Sequence, residues 1–520
     1  MAPSDWFLSA DERGNDATVL DRRHPGGAAW SSGNDVRPLV HGATYFAALA
    51  GAVTAMRSGD LVLFADWRGD PDERLEADGP EVEELLCGAA ERGVVVRGLV
   101  WRSHLDRLQF SASENRHLGE RINAAGGVCL LDQRVRPGGS HHQKFVVLRH
   151  PGRPTCDVAY VGGIDLCHSR RDDADHRGDP QTQTMAAVYG PTPPWHDVQL
   201  EVRGPAVGDV EAVFRERWGD RSPLSLNPVR LVADRLRRAD GTDRSLPEQL
   251  ADPPPCGPHG VQLLRTYPPR RPPYPFAPAG ERSVARGIGK ALGKARSLVY
   301  LEDQYLWSSD VAAGFCDALR RSPELRMVAV IPLHPDQDGR LTLPANLIGR
   351  RDAMRMLTRA APGRVAVYGI ENHDGVPVYV HAKVCIVDDD WVSVGSDNVN
   401  RRSWTHDSEL SCAVVGDGTA ASSLARDLRL RLAAEHLDHG PSDLDDLADP
   451  AALFAAFAAS AAALDAWHAG GRVGARPPGR LRTYGMPRIP VGQRLATRPL
   501  YRAVYDPDGR RRPMRAREEF

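Results

Sequence analysis

The sequence predicts an α/β fold made of two copies of one unit, and three observations carry that prediction. Apolar strand-like runs alternate with helical patterns along most of the chain. One short pattern, His-x-Lys, occurs at His142-Gln143-Lys144 and again at His381-Ala382-Lys383. The two occurrences sit at matching depths: Leu61 to His142 is 81 residues, and Leu298 to His381 is 83. Strands alternating with helices at this pitch imply a largely buried sheet covered by helices. Two copies imply halves related by a pseudo-twofold. The expected architecture is two α/β/α sandwich halves with a site at their interface.

The elements follow in order. In the first half, Val40-His41-Gly42 leads into a helix over Ala43–Met56 and a strand over Leu61–Trp67. A helix near Glu81–Arg92 and a strand over Val94–Trp101 come next. Strands over Phe145–Leu148 and Val158–Val161 follow the first His-x-Lys, and the second of them ends in Gly162-Gly163-Ile164-Asp165. The second half repeats this: a helix near Ser283–Arg296, a strand over Leu298–Asp303, a helix over Val311–Arg321 and a strand over Arg326–Pro332. Strands over Val384–Val387 and Trp391–Val394 follow its His-x-Lys, ending in Gly395-Ser396-Asp397-Asn398. Each half closes with a strand and a helix, Val198–Val202 with Val207–Trp218 and Glu409–Val415 with Thr419–His436.

These runs divide the chain into an N-terminal extension (1–34), a first half (35–221), a Pro-rich, partly extended connection (222–280), a second half (281–440) and a C-terminal helix with a basic tail (441–520). In the last segment, Asp449 as N-cap, Pro450 at the first helical position and Gly470 as stop frame one helix. Its apolar face is Leu453, Phe457, Leu464 and Trp467. The apolar stretch Ala451–Leu464 is too short to cross a bilayer, which needs about 20 residues. Residues 471–520 hold 13 arginines against four acids, which suits either wrapping over the two halves or contact with anionic lipid.

Composition narrows the class. The chain has 520 residues, 42% of them hydrophobic and 26% charged, with a net charge of −2. That is a globular composition without the positive field of a nucleic-acid binder. Residues 1–15 carry Asp5, Asp11 and Glu12 and no apolar run, so no secretory leader is read there and the expected location is cytoplasmic. The eight cysteines form no C-x-x-C pair, which speaks against a zinc ribbon. Only four of the 66 basic residues are lysines: Lys144, Lys290, Lys294 and Lys383. With 18 histidines, chance placement would give about 0.14 His-x-Lys motifs, yet two occur and they use half of the lysines.

In a strand, residues i and i+2 face the same way. Each motif therefore sets an imidazole beside an ammonium. A neutral imidazole can attack phosphorus and an ammonium can hold phosphate oxygens. A single such motif reads as the polar face of a strand; two at equivalent repeat positions favour chemistry. With the cations built in, the reading calls for no metal and no cofactor. The cluster His168-Ser-Arg-Arg-Asp-Asp-Ala-Asp-His176 has irregular spacing for a metal site and reads as a solvated rim loop.

At these residues the chain resembles the phospholipase D superfamily. The resemblance rests on His381-x-Lys383-x4-Asp388, Gly395-Ser396-x-Asn398, Asn400, Arg402-Ser403 and Asp407-Ser408-Glu409, with Leu301-Glu302-Asp303-Gln304-Tyr305 before them. In the first half it rests on His142-x-Lys144, Gly162-Gly163-Ile164-Asp165-Leu166-Cys167 and Pro194-Trp195-His196-Asp197-Val198, which look more like the phospholipase and cardiolipin synthase branch than the nucleases. It covers roughly residues 35–440. It departs from the family pattern at Arg149, which stands where the partner of Asp388 belongs and puts the charge network behind Lys144 in question.

The resemblance implies a phosphodiesterase that hydrolyses phospholipids or transfers their phosphatidyl group through a phosphohistidine. By that analogy His142 is the nucleophile and His381 the acid, with Lys144, Lys383 and Asn398 on the phosphate oxygens, joined by Asp165, and Asp388 in the motif. It also assigns a carboxylate to each imidazole within its own half, Glu409 to His381 and Asp197 to His142. Trp67, Tyr305 and Trp307 are candidates for the substrate entrance, with core packing the equal alternative. The expected partner is a phospholipid, with peripheral membrane contact through the basic tail, no nucleic acid, and a monomeric state. Three alternatives stand beside it: a cardiolipin synthase-type transferase, a nucleic-acid phosphodiesterase on the same fold, and a binding protein that kept the fold without catalysis.

Overall fold

The computed structural model describes residues 3–520 apart from 104–111, 231, 233–244, 340–341, 417–422, 441–443, 445 and 518. Strands of the first half are β1 (Ser31–Val40), β2 (Leu61–Asp66), β3 (Val95–Trp101), β4 (Val128–Asp132), β5 (Phe145–Arg149), β6 (Val158–Gly162), β7 (Trp195–His196) and β8 (Val198–Arg203). Those that follow are β9 (His259–Tyr267), β10 (Glu281–Arg282), β11 (Leu298–Glu302), β12 (Arg326–Val330), β13 (Val365–Ile370), β14 (Tyr379–Val380), β15 (Val384–Val387), β16 (Trp391–Gly395), β17 (Glu409–Gly416) and β18 (Leu481–Thr483).

One sheet runs through the molecule in the order β4-β3-β2-β5-β6-β8-β1-β9-β17-β16-β15-β11-β12-β13-β18. Read outward from the β1–β9 junction, the two halves have the same strand order, and the edge strand β18 is added beyond the second. In each half the outer three strands are parallel and the inner ones antiparallel. This is the pseudo-twofold expected from the repeat. The strands β2, β5, β6, β11, β15 and β16 are buried along their whole length, as continuous apolar runs covered on both faces should be.

Helices close both faces. Gly42–Thr54, Val82–Glu91 and Ala112–Ala124 lie on one face of the first half, and Ser283–Lys294, Ser309–Arg321 and Thr342–Ala360 on the equivalent face of the second. On the opposite face a single core runs across both halves beneath Ala206–Trp218 and Leu424–Leu437.

Two expectations change, and one of the two readings of the tail is met. The connection over 222–280 is part of the sheet: it contains β9, a nine-residue strand that pairs with β1 on one side and β17 on the other. Prolines crowd around it and mask its signal. The C-terminal helix spans Pro450–Ala469, with the Asp449 side chain accepting from Ala452 N at 2.7 Å. At 20 residues it is long and apolar enough by composition to cross a membrane, but Leu453, Phe457, Ala461 and Leu464 are buried against the second half. The basic tail wraps the fold: β18 pairs with β13, and Asp506 accepts from Arg402 N at 3.0 Å.

Candidate active site

Both His-x-Lys motifs sit where a chain segment of one half meets the other half. His142 N donates to Ser408 O at 2.9 Å, beside a parallel bridge between His141 and Ser408. In the equivalent place β14 pairs in parallel with β7, and His381 N donates to His196 O at 2.8 Å. Each histidine is thus anchored one residue before a carboxylate of the opposite half. The consequence is a crossed pairing: His142 Nδ1 lies 2.9 Å from Glu409 Oε2, and His381 Nδ1 lies 2.7 Å from Asp197 Oδ2. The within-half pairing expected from the family analogy is therefore corrected. Sequence order could not reveal it, because the pseudo-twofold brings equivalent segments together by swapping them.

With Nδ1 engaged, each imidazole keeps Nε2 for the site. The motifs lie in the segments just before β5 and β15, where Lys144 Nζ donates to His142 O at 3.0 Å and Lys383 Nζ donates to His381 O. The two motifs share one electrostatic environment. Burial and the ammoniums of Lys144 and Lys383 push His142 well below the usual imidazole range. Burial, Lys383, Arg170 and Lys144 do the same to His381. Burial and the neighbouring Lys144 lower Lys383 to about 8. Burial raises Asp197, and burial with Asp407 raises Glu409 to about 8.

The supports repeat across the two halves, one of them alike in type and one substituted. Asp66 Oδ2 accepts from Leu166 N at 2.9 Å, and its equivalent Asp303 Oδ2 accepts from Val399 N at 2.7 Å. These bonds hold the loops that carry Asp165 and Asn398. A side chain at Gly163 would place its Cβ 2.3 Å from Asp197 Oδ1. In the second half the matching residue is Ser396, whose hydroxyl donates to Glu409 Oε2 at 2.6 Å.

Several predicted residues take other places. Asp165 lies 3.4 Å from Lys144 Nζ and 3.5 Å from Arg170 Nη2. Burial alone would raise its carboxyl, but Lys144 and Arg170 outweigh burial and hold it below the usual carboxylate range. Its contact with Lys144 places Asp165 to orient that lysine. Asn398 is 3% exposed and its Oδ1 has no hydrogen-bond partner among the described residues.

Asp388 is not in the site. It stands beyond the far end of β15 from Lys383, in the left-handed conformation (φ 52°), where it accepts from Arg296 N, Ser297 N, Ser297 Oγ and Leu298 N at 2.7–2.9 Å. Arg149 is equally remote, at the far end of β5, bonded to Asp157 at 2.9 Å and Glu211 at 2.7 Å. The question its presence raised for Lys144 falls away. Asp388→Ala is expected to lower stability by about 1–3 kcal/mol in urea unfolding while leaving kcat within about twofold; a tenfold loss of kcat at unchanged stability would contradict this placement.

Aromatic rings line the histidines. Trp67 stacks on Trp101 at 5.4 Å and faces His142 at 6.1 Å. Trp195 and Tyr379 lie 4.9 and 6.4 Å from His381. Trp307 is core, 3% exposed and packed with Ile348 and Tyr501; Tyr305 stacks on it at 4.0 Å. Sequence reasoning missed Arg170, which is 4% exposed and stacks 3.9 Å above Trp195. From its composition the sequence predicts a solvated loop there. In fact Ser169, Arg170, Asp172 and His176 of that loop are all buried.

Comparison with known proteins identifies the family. A family model described as Phospholipase D matches residues 72–241, and one described as Cardiolipin synthase, PLD-like domain matches residues 289–429. The chain is 25% identical to phospholipase D alpha 4 of Arabidopsis thaliana, with 76% of this chain and 64% of that relative covered. It is 24% identical to phospholipase D alpha 1 of Cynara cardunculus, with 71% and 60% covered. The chain thus spans about three fifths of the length of the curated relatives it matches. Its fold is similar to the crystal structure of phosphatidylserine synthase from Haemophilus influenzae Rd KW20, with a TM-score of 0.51 at 12% identity, covering 75% of this chain and 84% of that one. With one family model on each half, and the paired motifs meeting where the halves join, this chain belongs to the phospholipase D superfamily.

Proposed function

We propose that the chain cleaves the phosphodiester of a phospholipid in two displacements through a phosphohistidine. The observation that supports it most is the crossed pair of imidazoles, each oriented by a buried carboxylate of the opposite half, with Lys144 and Lys383 both close enough to act on each ring. The Nε2 lone pair of one histidine attacks phosphorus, and the bond from phosphorus to the head-group oxygen breaks. The other histidine gives that oxygen its proton, and the free alcohol leaves. The same histidine then takes a proton from water, or from an alcohol acceptor, which displaces the histidine from phosphorus. The lysines and Asn398 take the non-bridging oxygens as charge builds.

By family analogy His142 attacks and His381 is the acid. One observation favours the reverse reading: Arg170, stacked on Trp195, adds a third cation on the His381 side and opposes its protonation. Quenching turnover of a slow phosphodiester and mapping the phosphorylated peptide decides between them: a label on the peptide containing position 142 or 381 names the nucleophile, and no label on either ends the covalent mechanism.

Lipid as substrate draws support from the C-terminal segment, where exposed Val491, Leu495 and Val504 lie among Arg494, Arg498 and Arg502, a mixture suited to an anionic lipid surface. The net charge of −2 is a poor match for a nucleic-acid substrate. Release of a head-group alcohol from mixed phospholipid vesicles, with ethanol as competing acceptor, tests the assignment; cleavage of DNA without any lipid product would replace it.

The lowered Lys383 makes a pH prediction. Its ammonium is present below about 8 and is lost as pH rises through that value. Accordingly kcat/KM is expected to fall by about tenfold per unit on the alkaline side, and Lys383→Met to abolish that limb along with most of the activity. An alkaline limb kept unchanged in Lys383→Met would assign it to another group.

A further inference from the structure

Behind β7, on the side away from the candidate active site, lies a second constellation that the proposed chemistry does not use. His41 precedes the helix Gly42–Thr54, His176 belongs to the loop after β6, and His196 is the second residue of β7. All three are buried, at 1%, 0% and 0% exposure. Glu435, from the helix Leu424–Leu437 that closes the second half, reaches into their midst. Its carboxylate oxygens lie 2.9 Å from His41 Nε2, 3.1 Å from His176 Nε2 and 3.5 Å from His196 Nδ1. No two of the four ligand atoms are more than 4.8 Å apart.

Hydrogen-bond accounting separates this group from an ordinary polar network. His176 Nδ1 faces Trp195 O at 3.0 Å while its Nε2 faces Glu435. His196 Nε2 faces Glu302 Oε2 at 2.6 Å, while its buried Nδ1 stands 3.5 Å from Glu435 with no hydrogen-bond partner among the described residues. A neutral imidazole has one N–H and one lone pair, so a neutral His176 cannot donate to oxygens on both sides, and a neutral His196 is left with a buried lone pair aimed at a carboxylate. A metal ion removes the conflict. The lone pairs of His176 Nε2 and His196 Nδ1 turn to the ion, and their N–H groups stay on Trp195 O and Glu302. That outer partnering is how metal-bound histidines are oriented.

We propose that His41, His176, His196 and Glu435 bind one divalent transition-metal ion, zinc by their three-nitrogen, one-oxygen donor set. Four ligands at bond lengths of about 2.0–2.2 Å in a tetrahedron stand about 3.3 Å from one another, close to the distances that Glu435 already makes. The role is structural. Successive residues on an extended strand point to opposite faces, so His196 faces the ion while Asp197 faces His381. Three ligands come from the first half and one from the second, so the ion fastens the halves together behind the carboxylate that orients His381.

The test is metal content, with no need of activity. The full chain, expressed with added zinc and desalted, is expected to carry about one zinc per molecule by mass spectrometry. Removal by a strong chelator is expected to lower the melting temperature, zinc to restore it, and cobalt to give the visible absorption of a tetrahedral site. His176→Ala and Glu435→Gln are expected to lose the ion. A folded, metal-free chain whose melting temperature and spectrum ignore added zinc and cobalt would overturn the proposal, and so would metal retained at full occupancy by both variants.

Discussion

Turnover is expected to fall by at least about 10³-fold in His142→Ala, and by as much in His381→Ala. In the proposed two-displacement reaction each imidazole performs a different proton or phosphoryl step, so neither can cover for the other. The double variant is expected to be scarcely worse than either single one, because groups that act as a unit do not add. Head-group release from vesicles measures this, with thermal unfolding as control. Both side chains lie at the edge of the core, at 16% and 7% exposure, so truncation leaves no large cavity and the variants should fold. A single variant that kept turnover within tenfold of wild type would remove its histidine from the reaction.

The repeat was the most legible feature of the sequence, for a physical reason. Strands buried on both faces must be continuous apolar runs, and β2, β5, β6, β11, β15 and β16 stand out as such. The scarcity of lysine made Lys144 and Lys383 conspicuous. Less legible was whatever depends on which segments meet. β9 lies between proline clusters and pairs with strands far away in sequence. The loop His168–His176 is polar in composition yet buries Ser169, Arg170, Asp172 and His176, because its charges find partners outside the loop: Arg170 on Trp195 and Asp165, His176 on Glu435. Polarity signals exposure only when those partners are absent, and one sequence does not show them. Asp388 illustrates the converse. Its place in a recognisable motif suggested chemistry, while the fold uses it to tie a tight turn to the start of β11.

Asp197→Asn and Glu409→Gln are expected to lower kcat by about 10²–10⁴-fold with little change in KM, because an amide no longer fixes the proton on Nδ1 and so no longer keeps Nε2 available. The crossed pairing sharpens this into a test of the architecture. With the chain labelled at its histidines, Glu409→Gln should shift the ring-nitrogen resonances of His142, 267 residues away in sequence, and leave those of His381 nearly unmoved. Asp197→Asn should do the reverse across 184 residues. If each carboxylate instead oriented the histidine of its own half, the two patterns would exchange. The crossing has a chemical consequence: neither half alone contains an oriented histidine. Docking of the halves along β1 and β9, and across the β7–β14 pair, supplies each imidazole with its carboxylate in the same event that brings the two lysines together. Activity is thereby tied to correct assembly of the repeat, and a substitution that loosens the junction should cost turnover before it costs secondary structure.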